Sequence, residues 1–538
     1  MRLLHKFLAV FIVGFLVYQD VCGQLVGNEK IGFTIPKTIY FGGERIWISS
    51  QAMRDDGPTE SKIIYAELLN RYNESVAVAK MPLENGRSLN FLQLPANLPS
   101  DHYLLRVFTR VSPYQDLEEG LVQQFVTVFN RTVPPAVVPE RKSATAPAAN
   151  SNALLSREAV RSGENLTIDL PSGEEVVEVS VATGNPFLMV QGMISSSAAY
   201  ESIDQHKLVP ELFGHIVEAK VERASVDTSQ LYYLSLHGDK SALFTDRPDA
   251  EGSMYFDAGG MKHWEFLVAQ ANSNKSLLDF QIVSPAPVTH FKKSFVFPEL
   301  EIMPADQELL ESLLKGGQVE GYFVNEFDAS LFPVVTGFTV DRTYLLDDYT
   351  RFESVSTVIK EYVPEVRQRT VKKRKEFRVL DEVLDAGFDS NPLMLIDALP
   401  VFDSDMLAAF DPAGFEKLEI LMRTFFLNEE KFPGVIAFSS YNNDFGGFPI
   451  PSNAIYLDYQ GIQPRIASAE YLFDAPKAAQ KIMDWRTVLY WSETKAAPVK
   501  AGPLEIKAPD LIGKFHVKVK TVTPTGDINV YYQVFEVN

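Results

Sequence analysis

From Ile31 onward, apolar and polar positions alternate in short runs that are broken by Gly, Pro, Asn and Asp. A period of two over four to eight residues predicts half-buried strands. Ile39 and Phe41, then Ile46 and Ile48, flank the turn residues Gly42-Gly43. Over 62–70, Ile63, Tyr65 and Glu67 oppose Ile64, Ala66 and Leu68, which predicts a buried strand with one polar edge. Residues 103–109 and 122–129 continue the theme, and strand patterns resume at 166–169, 176–182, 231–236 and 254–256. Near the end, Phe515, Val517 and Val519 alternate with His516, Lys518 and Lys520; 524–527 reads as a turn and 530–537 as a closing strand. Helical spacing is clear at 306–315, with Asp306 as the N-cap and Gly316-Gly317 as the stop. The pattern predicts a mainly β, multi-domain chain built of β-sandwiches.

Composition narrows this further. The 538 residues, 46% of them hydrophobic, suffice for several cores. The net charge of −20 argues against nucleic-acid binding, which needs clustered Lys and Arg. The single cysteine, Cys22, rules out an intramolecular disulfide framework. At the N-terminus, Arg2 and Lys6 precede an uncharged apolar run over 7–18, and Val21-Cys22-Gly23 offers a cleavage site before Gln24. This is the layout of a secretory signal peptide over 1–23, in a run too short to span a membrane. The expectation is an exported protein, in the periplasm or associated with the outer membrane. The alternative for Cys22 is a lipid anchor, although Gln19, Asp20 and Val21 all depart from a lipobox.

Two resemblances add to this. Pro36-Lys37-Thr38-Ile39-Tyr40-Phe41-Gly42-Gly43-Glu44-Arg45-Ile46-Trp47-Ile48 resembles the opening of an α2-macroglobulin-type second domain, as do Tyr65-Ala66-Glu67-Leu68 and the run 94–106. Gly42 stands where proline is usual, and Asp101 replaces a usual glycine. The resemblance implies an Ig/macroglobulin-like sandwich with Tyr40 and Trp47 in its core. The thioester motif of that family is not reproduced, since Cys22-Gly23-Gln24 lacks the glutamate. Residues 251–256 weakly resemble the turn and strand of carboxypeptidase-regulatory-like β domains. Further on, Pro392-Leu393 with Asp397-Ala398-Leu399-Pro400-Val401, then Phe415-Glu416-Lys417-Leu418-Glu419-Ile420-Leu421, then Gly434-Val435-Ile436 resemble in order the plug domain of TonB-dependent receptors. Residues 484–491 resemble an element of large Bacteroidota envelope proteins. The implied fold is a small α+β plug-like domain added to the sandwiches. About eighty residues follow position 460, too few for a 22-stranded barrel.

The expected domains are therefore a signal peptide over 1–23, a macroglobulin-like sandwich over 24–130 and a linker over 131–153. A β-sandwich region over 154–290, a connecting segment with a short helix over 291–349, a plug-like domain over 350–470 and a C-terminal β domain over 471–538 follow.

Contiguous catalytic signatures are missing: no H-E-x-x-H, C-x-x-C, Walker loop or G-x-S-x-G occurs. No catalytic, cofactor-binding or metal site is assigned. His215 and His237 read as structural rather than as ligands, Asp397 as a turn residue, and Asp347, Asp348, Asp403 and Asp405 as solvated turn carboxylates rather than Ca²⁺ ligands. Lys372-Lys373-Arg374-Lys375 is a basic run that reads as a solvated strand edge or as a contact for an acidic partner or lipid headgroup. The loop 441–451 places Tyr441, Phe445 and Phe448 among glycines, a composition suited to partner recognition, with folding back onto its own domain as the alternative. The expected function is that of a non-enzymatic exported envelope protein, an interaction or structural subunit of an outer-membrane complex with a protein partner and no cofactor. The alternatives are a gating subunit that plugs a separate channel, and a glycan-binding or enzymatic module whose site is assembled from distant residues.

Overall fold

A computed structural model of the chain describes residues 27–140, 154–188, 192–223, 226–259, 264–272, 277–320, 339–466, 483–493 and 502–538. The expected signal peptide and Cys22 lie outside the described residues. The chain is mainly β and multi-sheet, as the period-two pattern requires. It divides into two compact units, each assembled from separated stretches of sequence.

The first unit takes residues 1–212, 286–330 and 463–538. Its N-terminal part is a sandwich. One sheet pairs Arg45–Arg54 with Lys30–Thr34 and Arg87–Gln93. The other orders Val122–Phe129, Asp101–Phe108, Ile63–Leu69 and Ser75–Pro82, with Ile39–Phe41 parallel to Val122–Phe129. Ile46, Ile48, Ile64, Ala66, Leu68, Leu105, Val126 and Val128 fill the space between the sheets, together with Tyr40. Trp47 points to the other side of its strand and packs with Ala182, Val488 and Trp491. Tyr40 and Trp47 are thus core residues, as expected, but of two different clusters.

The rest of this unit groups the segments differently from the expected consecutive domains. Glu175–Thr183 lies between Gly513–Val522 and Val488–Glu493, and Ile528–Val537 extends the same sheet to Ala159–Val160. Val179, Val181, Phe515, Val517, Val519 and Phe535 form one core. Val488–Glu493, Gly513–Val522 and Ile528–Val537 therefore belong to a sheet whose other strands lie more than 300 residues earlier. Alternation identifies strands but does not say which edges pair. In the expected linker, Ala136–Val137 runs parallel to Glu301–Ile302, while 141–153 lie outside the described residues.

The expected short helix is longer than predicted. A 3-10 turn, Pro304–Asp306, leads into the helix Gln307–Val319. Asp306 caps the earlier turn, its Oδ2 accepting the Met303 amide at 2.7 Å. Gly316 and Gly317 do not stop the helix but sit inside it. A Cβ on Gly316 would lie 2.7 Å from the Trp485 carbonyl oxygen, and one on Gly317 would lie 2.1 Å from Glu44 Oε1. The glycines permit close packing here rather than termination.

The second unit takes residues 213–285 and 331–462, so the expected sandwich over 154–290 is shared between the units. A four-stranded sheet orders Ala242–Asp246, Tyr232–Gly238, Trp264–Ala271 and Ile455–Asp458. A five-stranded mixed sheet orders Arg342–Leu345, Phe415–Leu421, Val435–Ser440, Leu393–Ile396 and Leu399–Pro400, with Leu393–Ile396 parallel to Val435–Ser440. The helix Val355–Tyr362 buries Val355, Val358 and Ile359, the i, i+3, i+4 face that amphipathic packing requires. Residues 342–458 thus form an α+β body. The tight turn between Leu393–Ile396 and Leu399–Pro400 places Asp397 and Ala398 at φ +46° and +66°. That is the geometry of a type I′ hairpin, which normally selects Asn-Gly.

Candidate functional site

The residues singled out around the loop 441–451 are brought together in the second unit, but not as an aromatic recognition loop. Asp397, 6% exposed, is the organiser. Its Oδ1 accepts the Ser440 amide at 2.8 Å, and its Oδ2 accepts the Ser440 hydroxyl at 2.5 Å and the Phe445 amide at 2.8 Å. The Ser440 hydroxyl in turn accepts the Asp444 amide at 3.0 Å. This carboxylate therefore shapes its own hairpin and clamps the start of the loop. Drawn in by that clamp, Phe445 and Phe448 are buried in the core with Phe410, Phe415 and Phe438. Of the three residues expected to meet a partner, only Tyr441 reaches solvent, at 48% exposure. The apolar area of the two phenylalanines outweighs the loop polarity around them.

Tyr441 is held in a surface cluster. Its hydroxyl donates to Asp347 Oδ1 at 2.7 Å, and Arg351 Nη2 donates to the same Oδ1 at 2.5 Å and to the Tyr441 oxygen at 2.6 Å. Arg351 Nη1 donates to the Phe415 carbonyl at 2.7 Å, which fixes the guanidinium to the sheet. The hydrogen bonds from Tyr441 and Arg351 hold the Asp347 carboxyl below the usual range, and the carboxylate raises the Tyr441 phenol. An anchored arginine and an aromatic ring on an exposed loop are the residue types that dominate interface energetics.

His237 lies beneath the loop, between two serines. Asn443 Nδ2 donates to the Gly238 carbonyl, so Asn443 Oδ1 accepts from the Ser241 hydroxyl at 2.9 Å. Ser241 then accepts from His237 Nδ1–H at 3.0 Å, and Ser235 donates to His237 Nε2 at 2.8 Å. This assignment follows from the donor and acceptor inventory. Burial pushes the His237 pKa down to about 3, so the ring is neutral. The Ser–His pairing has the connectivity of a nucleophile and its base, but Ser235 has 0% exposure and the third member is an amide rather than a carboxylate. In this conformation no substrate carbonyl reaches Ser235 Oγ, and the chain of hydrogen bonds ties the loop to the neighbouring sheet. His215 is equally enclosed, with Nε2 2.7 Å from the Tyr459 hydroxyl and its ring stacked near Trp264.

The acidic candidates are used locally. Asp403 caps the helix Ser404–Ala409 by accepting the amides of Asp405 and Met406. Asp405 Oδ1 accepts the Lys375 amide at 2.7 Å. Among the described residues, no three His, Cys, Asp or Glu side chains converge as a metal site needs.

A second cluster, in the first unit, was not legible in the sequence. Lys37 Nζ donates to Glu44 Oε2 at 2.7 Å and to Thr487 Oγ1 at 3.1 Å, with Glu320 Oε2 at 3.6 Å. Lys37 and Glu44 side chains are 3% and 7% exposed. Burial disfavours the ammonium, but Glu44 and Glu320 outweigh it and hold its pKa above the ordinary lysine value. Burial raises the Glu44 carboxyl, with Lys37 opposing and Glu320 adding to the rise. The cluster pins the helix Gln307–Val319 to the sandwich and the segment at Thr487. Lys37 and Thr487 are 450 residues apart in sequence, so only a motif shared with relatives would signal the cluster.

No family model matches the sequence, and no curated protein matches it. Among solved structures, the chain is similar to Salmonella α2-macroglobulin reacted with methylamine at 9% identity, over 95% of this chain and 23% of that one, with a TM-score of 0.17. It is similar to the native conformation of E. coli α2-macroglobulin at 9% identity, over 95% and 22%, with a TM-score of 0.16. It is similar to the tandem V-type regions of a v-region-containing chitin-binding protein at 11% identity, over 49% and 98%, with a TM-score of 0.14. The chain spans less than a quarter of the length of these two macroglobulins.

Proposed function

We propose that this is a non-enzymatic exported envelope protein that acts as an interaction or structural subunit, with the Tyr441–Arg351–Asp347 cluster as its contact for a protein partner. The observation that carries the proposal is a contrast in the second unit. The groups able to do chemistry, His237 with Ser235 and Asp397 with Ser440, are buried and bonded to their own chain. The exposed cluster is preorganised, with its arginine tied to a backbone carbonyl 2.7 Å away, so little side-chain entropy is lost on binding. The macroglobulin-type and plug-like readings, and a Bacteroidota origin, rest on the motif order in the sequence alone. The test is to isolate the tagged protein from gently solubilised envelopes of its native host and identify what co-purifies. A stoichiometric envelope protein, lost in Tyr441→Ala and Arg351→Ala, is the expected result. Recovery of the chain alone overturns the proposal.

A further inference from the structure

In the second unit, Val366–Val371 and Arg374–Asp381 form an antiparallel hairpin. One face is apolar at its base, where Val366, Phe377 and Val379 are buried in the core, and continues toward the turn with Gln368, Thr370 and Lys375. The period of two then sends Arg367, Arg369, Val371, Arg374, Glu376 and Arg378 to the other face. Arg367 stands directly opposite Arg378, Arg369 opposite Glu376 and Val371 opposite Arg374. The turn consists of Lys372 and Lys373, both in the left-handed region at φ +50° and +69°.

The sequence reading of a solvated strand edge accounts for the exposure of these cations but not for their arrangement. Glu376 pairs with Arg378, but Arg367, Arg369, Lys372, Lys373 and Arg374 have no ion pair among the described residues. Two arginines directly across a ladder repel each other, and side-chain-bearing residues are disfavoured at both central positions of such a turn. In a chain of net charge −20, five unpaired cations on one ribbon are complementary to an anionic surface.

We infer that this hairpin docks onto an anionic lipid surface, with its arginine forks on headgroup phosphates and Val371 at the headgroup boundary. Three observations favour a membrane over an acidic protein. Phosphate is a natural bidentate partner for arginine. The cations lie close together on one ribbon, Arg367 and Arg369 two residues apart on one strand and Lys372, Lys373 and Arg374 at its turn, which suits a field of anions. The tip also combines cations with an apolar residue, since Val371 is 38% exposed beside Lys372, Lys373 and Arg374. The net negative charge of the chain opposes broad contact, so docking is confined to this hairpin. The inference concerns a different surface from the Tyr441 cluster and stands whether or not that cluster meets a protein.

The test is sedimentation of the full chain with vesicles of phosphatidylcholine, with and without 30% phosphatidylglycerol (~0.3 mole fraction, chosen to give a surface potential of the usual size). Binding to the anionic vesicles alone, weakened by salt, is expected. Replacing Lys372 and Lys373 by Asn and Gly suits the turn geometry and removes two charges, so the variant folds at least as well. Each cation near such a surface contributes about fivefold in partitioning, so this variant should bind roughly 25-fold more weakly. The variant Arg367→Glu/Arg369→Glu/Arg374→Glu should lose binding by more than about a hundredfold. Equal binding to both vesicles, unchanged binding by the Asn-Gly variant, or binding to a poly-glutamate peptide in place of vesicles overturns the inference.

Discussion

Replacing Gly317 by alanine sets two effects of known size against each other. Gly317 lies inside the helix Gln307–Val319, where alanine is favoured over glycine by about 1 kcal/mol. The new Cβ would stand 2.1 Å from Glu44 Oε1 and 2.8 Å from Glu44 Cδ, well inside contact distance. A glutamate end is flexible, and on the surface it would swing aside at little cost. Glu44 is 7% exposed and bonded to Lys37, which is 3% exposed. Moving it strips a buried ammonium of its closer carboxylate, and breaking such a pair costs about 3–5 kcal/mol. The net expectation is a loss of about 2–4 kcal/mol, because the lost pair outweighs the helix gain. Urea unfolding of the wild type and Gly317→Ala measures it. The control is Gly387→Ala, where an added Cβ meets nothing within 4 Å, so its stability should stay within about 0.5 kcal/mol of the wild type. If Gly317→Ala is as stable as the wild type or gains stability, the buried pair does not hold the helix in place.

Burial lowers the pKa of His102 to about 4 and of His237 to about 3, against about 6.5 unfolded. Their contribution is complete above the unfolded value and is lost as pH falls from about 6.5 toward the folded values. Between pH 7.5 and 5 each histidine should cost about 2 kcal/mol, and His237→Gln should unfold with a shallower pH slope than the wild type; parallel slopes refute this. Ala398→Gly relieves a side chain held at φ +66° and should stabilise by about 0.5–1 kcal/mol in thermal unfolding, after the entropy of glycine is subtracted. Asp397→Ala strands the amides of Ser440 and Phe445 and should cost about 3 kcal/mol or more, with faster proteolysis within 441–448.

Several features were legible because their causes are local. Alternation found the strands at 63–69, 122–129 and 513–522, since side chains on successive strand residues must face opposite ways. The role of Asp397 as a turn residue followed from its chemistry. The resemblance around 36–48 placed Tyr40 and Trp47 in a core, and both are buried. The basic run at 372–375 reads as a solvated strand edge, and Lys372, Lys373 and Arg374 are exposed, at the turn of a hairpin.

What the sequence by itself determined about this chain is therefore its vocabulary: short strands, tight turns, one amphipathic helix and an excess of negative charge. Tertiary structure alone decided the rest. It joined 175–183 to 488–493 and 513–522 in one sheet, because strand pairing is settled by which apolar faces can be buried together at long range. It kept Gly316 and Gly317 within a helix, because the surfaces of Thr487 and Glu44 leave no room for a Cβ. It turned Phe445 and Phe448 inward, because a buried carboxylate on a distant hairpin clamps the start of their loop. It assembled Lys37, Glu44, Glu320 and Thr487, since a buried charge must find its partners wherever the fold brings them.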